Sequence, residues 1–145
     1  MAAPLYTWEF AYDLMGNRVP IITTLEASAS LETKEGTLVI LTGGQVDEAT
    51  ASAVLIAGLA MEQTAAPLSA TDPIKVALLA PGMVIKGTAD ADATALAGFA
   101  GKLVDVNTDG SLDVADTTNG SLSVHRVENS GLTVYCVVTK GALFA

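Results

Sequence analysis

The sequence predicts an all-β fold, a small barrel or sandwich of short antiparallel strands with at most one short helix. Three observations predict it. Short β-branched and apolar runs recur along the chain, the composition expected of pleated, half-buried strands. The separators between them carry the residues that tight turns demand: Gly16-Asn17, Gly43-Gly44, Pro81-Gly82, Thr108-Asp109-Gly110, Asn119-Gly120 and Glu128-Asn129-Ser130-Gly131. Only Asp90–Gly101 reads as a helix, with Asp at its start, Ala-rich filling, Leu96 and Phe99 three apart and Gly101 as a stop.

Taken in order, Pro4–Tyr12 alternates large apolar with small or polar side chains, the period of a strand, and holds Trp8, Phe10, Tyr6 and Tyr12. After Gly16-Asn17, Val19–Leu25 is a second extended run in which Pro20 favours an edge or a strand start. Two readings of this terminus are open: a first hairpin packed on the domain's own core, or an arm that adds as a strand to a neighbouring chain. Gly36–Val46 is a strand closed by a double-glycine turn; Asp47–Thr50 could cap a short helix, but Ala53–Ala60 is equally a buried strand, periodicity does not separate the two, and strand is the reading taken. Ile74–Ala80 and Met83–Gly87 flank Pro81-Gly82, which suits the two central positions of a type II turn. The last third reads as a meander: Lys102–Val106, Ser111–Val114, Ser121–Val127 and Leu132–Thr139.

Length and charge narrow the function. The chain's 145 residues suit one domain. Its net charge of -9 would be repelled by phosphate backbones and anionic lipid, so neither nucleic acid nor a membrane surface is expected as partner. Met1–Phe10 lacks a signal's basic start, and the apolar stretch Ala53–Met61 is far short of the roughly 20 residues of a membrane span, so a soluble, unanchored protein is expected. Cys136 is the single cysteine, which excludes an internal disulfide and a cysteine zinc site.

Chemistry is sparse. Asp105, Asn107, Asp109, Asp113 and Asp116 match the oxygen-ligand spacing of a calcium loop, with Gly110 at the sixth position. The twelfth residue is Asp instead of the usual Glu, Lys102-Leu103-Val104 reads as strand, and Thr117–Gly120 cannot be an exiting helix. The competing reading is a hairpin around Thr108-Asp109-Gly110, with Val106 opposite Leu112, Val104 opposite Val114 and Asp105 opposite Asp113. No cofactor or metal is assigned. His125 alternates with Leu122 and Val124 and so falls on the other face of its strand; Cys136 alternates in phase with Val134 and Val138, as a core residue does. A Cys136–His125 dyad is open by strand adjacency, with nothing to orient it. Gly43-Gly44 lacks the continuation of a phosphate loop. Glu62, Asp72, Asp90 and Asp92 read as solvated acidic surface. No enzyme and no small-molecule substrate are expected.

Gly36–Val46 with its glycine turn, Ile56-Ala57-Gly58-Leu59-Ala60, and Val76–Ala80 followed by Pro81-Gly82-Met83-Val84 together resemble the lambda-like head decoration, or cement, proteins of tailed bacteriophages. The pattern covers Leu38 to Gly87. The resemblance implies a β-tulip-like body (residues 26–145) with an extended N-terminal arm (residues 1–25). It further implies a homotrimer at three-fold or quasi-three-fold sites on the outside of a virion shell of HK97-like major capsid proteins, made in the host cytoplasm and fastening the expanded shell against internal DNA pressure. The arm residues it points to are Pro4, Leu5, Tyr6, Trp8, Phe10, Tyr12, Ile21 and Ile22. Two other classes remain open: an extracellular calcium-binding β-sandwich of adhesin type, and another virion component such as a tail-tube or head-completion protein.

Overall fold

A computed structural model describes residues 3–49, 56–64, 66–98, 102–118 and 120–140. The chain is all-β. One sheet has four antiparallel strands in the order β1 (Glu9–Asp13), β7 (Met83–Thr88), β11 (Thr133–Val138), β10 (Leu122–Glu128). The other has five, in the order β2 (Ile21–Glu26), β6 (Pro73–Leu78), β5 (Gly58–Ala60), β3 (Leu38–Thr42), β4 (Gln45–Glu48). A bridge from Ala27 to Val46 draws the outer strands of this second sheet together, so it curls strongly, yet no closed barrel forms. A two-residue ladder, β8 (Asp105–Val106) with β9 (Leu112–Asp113), stands apart.

Side-chain alternation along the strands sorts the core into layers. From β7 and β11, Met83, Ile85, Val134, Cys136 and Val138 face the five-stranded sheet's Leu38, Leu59 and Ala77 in one inter-sheet core. Val39, Val46, Ile74, Val76 and Leu78 point the other way, into the hollow of the curled sheet, which Ala27, Leu31 and Leu68 help to fill. Val84, Tyr135 and Val137 form a small cluster with Ala11 and Tyr12 on the outer face of the four-stranded sheet.

The N-terminal strands do not form a hairpin with each other. β1 pairs with β7 and β2 with β6, and the two pairs lie in different sheets. β1 and β2 run beside β7 and β6, so the segment between them turns the corner from one sheet to the other. The corner is closed by the Leu14 N–H donating to the Gly82 carbonyl at 2.9 Å and by Arg18, which reaches Pro81 O at 2.8 Å and Asp13 at 2.7 Å. Residues 3–25 therefore run along the domain's own sheets. Pro20 precedes a strand at the sheet's edge, as proline's missing donor favours.

The turns follow their residues. Gly43 and Gly44 both take positive φ, 58° and 83°, and join Thr42 to Gln45 as a two-residue hairpin. Gly82 has φ 94° and Met83 N–H bonds Ala80 O, the type II arrangement.

Two expectations are corrected. The helix over 90–101 reduces to a single 3-10 turn, Thr94–Leu96, with Ala97 extended and residues 99–101 outside those described. Asp92 accepts the Thr94 N–H, Asp90 is bonded to Asn107 and Val114, and the Ala93 and Gly98 N–H groups go to Gly131 and His125 carbonyls. These bonds satisfy the groups that an α-helix would need. The last third is also no simple meander: Val104 bridges to Leu122 instead of Val114, because the chain turns back after β9 and brings Asp116 O to the Asp105 N–H. Of the strand expected over 53–60, Gly58–Ala60 is a strand and residues 51–55 lie outside the described part.

Candidate interaction surface

Beta2 is an edge strand. Among the described residues it is hydrogen-bonded to β6 alone, which leaves its other side open over Ile21–Thr24. An open edge carries unpaired backbone groups, and natural edges are usually blunted by charge or proline. Here the exposed side chains are Ile21 (64%) and Ile22 (57%), continued into the preceding loop by Leu14, Met15 and Val19. Large β-branched side chains this exposed leave apolar surface uncovered.

Adjacent strand residues point to opposite faces, so the two isoleucines look onto two different grooves. Beside Ile21 a groove of about 290 Å³ is lined by Arg18, Val19, Leu78, Ala80 and Met83. Beside Ile22 another of about 260 Å³ is lined by Trp8, Phe10, Pro20, Leu59, Met61 and Ala77. A strand added along β2 would drop alternate side chains into each. The rim is acidic: Glu9 and Glu35 border the second groove and Glu26 ends the strand. Of the cations nearby, Arg18 is committed to Asp13, whose carboxyl it holds well below the usual carboxylate range, Lys86 pairs with Glu9 at 3.9 Å, and Lys75 on β6 stands opposite Thr24.

The eight expected arm residues separate accordingly. Leu5, Ile21 and Ile22 are exposed, Tyr6, Phe10 and Tyr12 are half-buried, Pro4 is buried, and Trp8 is buried in the inter-sheet core. Leu14, Met15 and Val19 join the exposed set without having been singled out; the available signal was an apolar Leu14-Met15 pair directly before a Gly-Asn turn. The N-terminal segment is seated by glycines. A Cβ on Gly87 would strike the Trp8 ring and one on Gly36 the Trp8 carbonyl, while Trp8 Nε1 donates to Gly110 O at 2.7 Å.

His125 and Cys136 are not brought together. Cys136 pairs in register with Val124 and lies in the inter-sheet core, where burial pushes its thiol pKa far up. His125 sits at a bulge in β10 and its Nδ1 hydrogen-bonds Tyr12 OH at 2.9 Å on the outer face. There Tyr12 stacks on Tyr135, the Arg126 guanidinium lies 3.8 Å above the Tyr135 ring, and Arg126 pairs with Glu128 at 2.7 Å. These mutual contacts make a closed network of the kind that stabilises an outer sheet face.

The five calcium candidates adopt the hairpin register: Asp105 opposite Asp113, Val106 opposite Leu112. Most of their side chains are engaged locally. Asn107 donates to Asp90 and Ser111, Asp109 accepts from the Ser111 N–H at 3.0 Å, and Asp113 accepts from the Ala115 N–H. Among the described residues no group of three His, Cys, Asp or Glu side chains is placed to hold a metal ion. Asp105 differs from the others. It is buried, its Oδ1 has no hydrogen-bond partner, and burial together with the Asp116 and Asp113 carboxylates raises its pKa to about 6.

Among the described residues no helix is long and apolar enough to cross a membrane. No protein-family model matches this chain, and no curated protein matches it.

Proposed function

We propose that the chain is a structural, non-catalytic protein that works by docking, and that it decorates the outer surface of a tailed-phage-type head as a homotrimer and cements the expanded shell. The observation that carries this reading is the open β2 edge with Ile21 and Ile22 exposed on its two faces and an apolar groove beside each. Such an edge suits strand addition, in which backbone hydrogen bonds supply the hold and alternate side chains the selectivity. The stretches that carry the likeness to phage cement proteins support it: β3, β4, β5 and β6 are neighbours in the sheet that β2 ends. In a repeating shell each contact can be modest, since a bound trimer presents its remaining sites at high effective concentration. The acidic net charge is compatible with a position outside the shell, away from packaged DNA.

Deleting the first 25 residues is a poor test, because it removes β1, most of β2 and the buried Trp8. The double variant Ile21→Lys/Ile22→Lys should keep the fold, since both side chains are mostly exposed, and should blunt the edge. Expanded heads assembled from an HK97-type major capsid protein would be mixed with each protein and separated by sedimentation. Co-sedimentation of the native chain and not of the double variant is expected. Failure of the native chain to bind overturns the shell reading, and equal binding of both overturns the role of β2.

A further inference from the structure

The buried Asp105 carboxyl has an unpartnered oxygen, and it lies in the hairpin that grips the N-terminal segment. Two bonds make that grip. The Tyr6 N–H donates to Asp109 O at 2.8 Å, and Trp8 Nε1 donates to Gly110 O at 2.7 Å. Gly110 itself must lack a side chain, because a Cβ there would meet the Tyr6 carbonyl, and its φ of 91° suits glycine alone. Two strand pairings and the loop bond from Asn107 N–H to Ser111 O hold the hairpin in shape.

Among the described residues the charges that act on Asp105 are negative. Asp113 is its cross-strand partner on β9, and Asp116 follows on the returning loop, whose carbonyl accepts the Asp105 N–H. Asp90, from the segment after β7, is bonded to the same loop through Asn107 and Val114. From the other side Val104 bridges to Leu122, and the chain at Gly120 packs directly on the Val104 carbonyl; among the described residues the charges that shift Asp105 are those of Asp116 and Asp113. Like charges directly across a ladder destabilise it, and an ionised buried carboxylate without a partner does so more.

We propose that the β8–β9 hairpin is a proton-operated clasp: with Asp105 protonated and donating to Asp116 it holds Tyr6 and Trp8, and with Asp105 ionised it loosens and frees the N-terminal segment. The sign follows from linkage. A carboxyl whose folded-state pKa is raised above its unfolded value contributes stability that is present at low pH and lost as pH rises to about 6. The clasp is therefore closed at mildly acidic pH and slack at neutral pH. This inference does not depend on the shell reading.

Trp8 is the chain's single tryptophan, so its fluorescence reports the clasp directly. The full-length protein would be titrated over roughly pH 4.5 to 7.5, with amide exchange of Tyr6 followed in parallel. In the native chain the Trp8 signal should titrate with a midpoint near pH 6, and Tyr6 protection should fall at least roughly threefold across it. Asp105→Asn should abolish the titration and hold the low-pH signal throughout; Asp116→Asn should shift the midpoint down; His125→Gln should leave it in place. A flat native titration overturns the proposal. So does a titration that survives Asp105→Asn or disappears with His125→Gln.

Discussion

The Trp8 indole N–H donates to the Gly110 carbonyl at 2.7 Å, joining residues 102 positions apart and tying the start of the chain to the hairpin of its last third. Gly87 makes room for the same ring: its Cα faces the indole where a Cβ would overlap it. The φ of Gly87 is not in the left-handed region, so an added methyl there tests packing alone. Gly87→Ala should cost about 1–3 kcal/mol by overpacking, and Trp8→Ala about 3–5 kcal/mol by leaving a cavity. Urea unfolding measures both. A neutral Gly87→Ala would place the Trp8 ring elsewhere.

Gly43 tests the turn chemistry without any packing contribution, since nothing lies within 4 Å of where its Cβ would stand. Both turn residues have positive φ, as a type I′ hairpin requires. Gly43→Asn should leave stability unchanged or raise it by a few tenths of a kcal/mol, because Asn accepts this conformation and restricts the unfolded chain. Gly43→Val should cost about 1–2 kcal/mol. Thermal unfolding of the two variants decides, and equal melting temperatures would contradict the turn type.

These turns were legible in the sequence because their geometry is local: Gly43-Gly44, Pro81-Gly82 and the Asp105–Asp113 register all follow from residues within one hairpin. The partners of β1 and β2 were not, since an edge strand's neighbour depends on how distant sheets stack, and Tyr12 and Ile21 find theirs in β7 and β6, more than fifty residues on. The helix over 90–101 misled for a related reason. Asp90 looks like a helix start, but its carboxylate serves Asn107 and Val114 from across the fold. Of the interaction surface, Ile21 and Ile22 were legible as an apolar run near Pro20, whereas the buried role of Trp8 depends on Gly87 and Gly36, which carry no signal of their own.

At the corner between the sheets, Asp13 is enclosed and accepts from Arg18 Nε, Arg18 N–H and Met15 N–H. The Arg18 guanidinium is the main cause of its depressed pKa. A depressed carboxyl contributes stability that is present above its unfolded value and lost as pH falls below it. The melting temperature of Asp13→Asn should therefore lie below the native one at neutral pH, and the gap should close as pH is lowered through the range where free carboxyls titrate, near about pH 4. A gap that persists undiminished at the acid end would show that the ion pair is not its source.

Cys136 is fully enclosed between the sheets, and burial alone raises its thiol pKa far above the ordinary range. Thiolate is the reactive form, so both access and ionisation oppose modification. The folded chain should resist a disulfide reagent such as dithionitrobenzoate for as long as it stays folded, and react with one equivalent on denaturation. Fast labelling of the native protein would mean that the inter-sheet core opens near β11.

The β2 edge sets stability and association apart. Ile21 and Ile22 are mostly exposed, so the Ile21→Lys/Ile22→Lys variant removes little buried area, and its unfolding free energy should change by no more than about 0.5 kcal/mol per site. The same residues are the apolar part of an otherwise unblunted edge, and lysine there opposes strand addition. At high protein concentration the native chain should show edge-to-edge self-association by analytical ultracentrifugation that the double variant lacks, with the difference growing as salt screens the net charge of -9. Self-association that is identical in both proteins would place the adhesive surface away from β2. A variant that loses several kcal/mol of stability would instead show that Ile21 and Ile22 are structural, and that the grooves beside them are filled from within the chain.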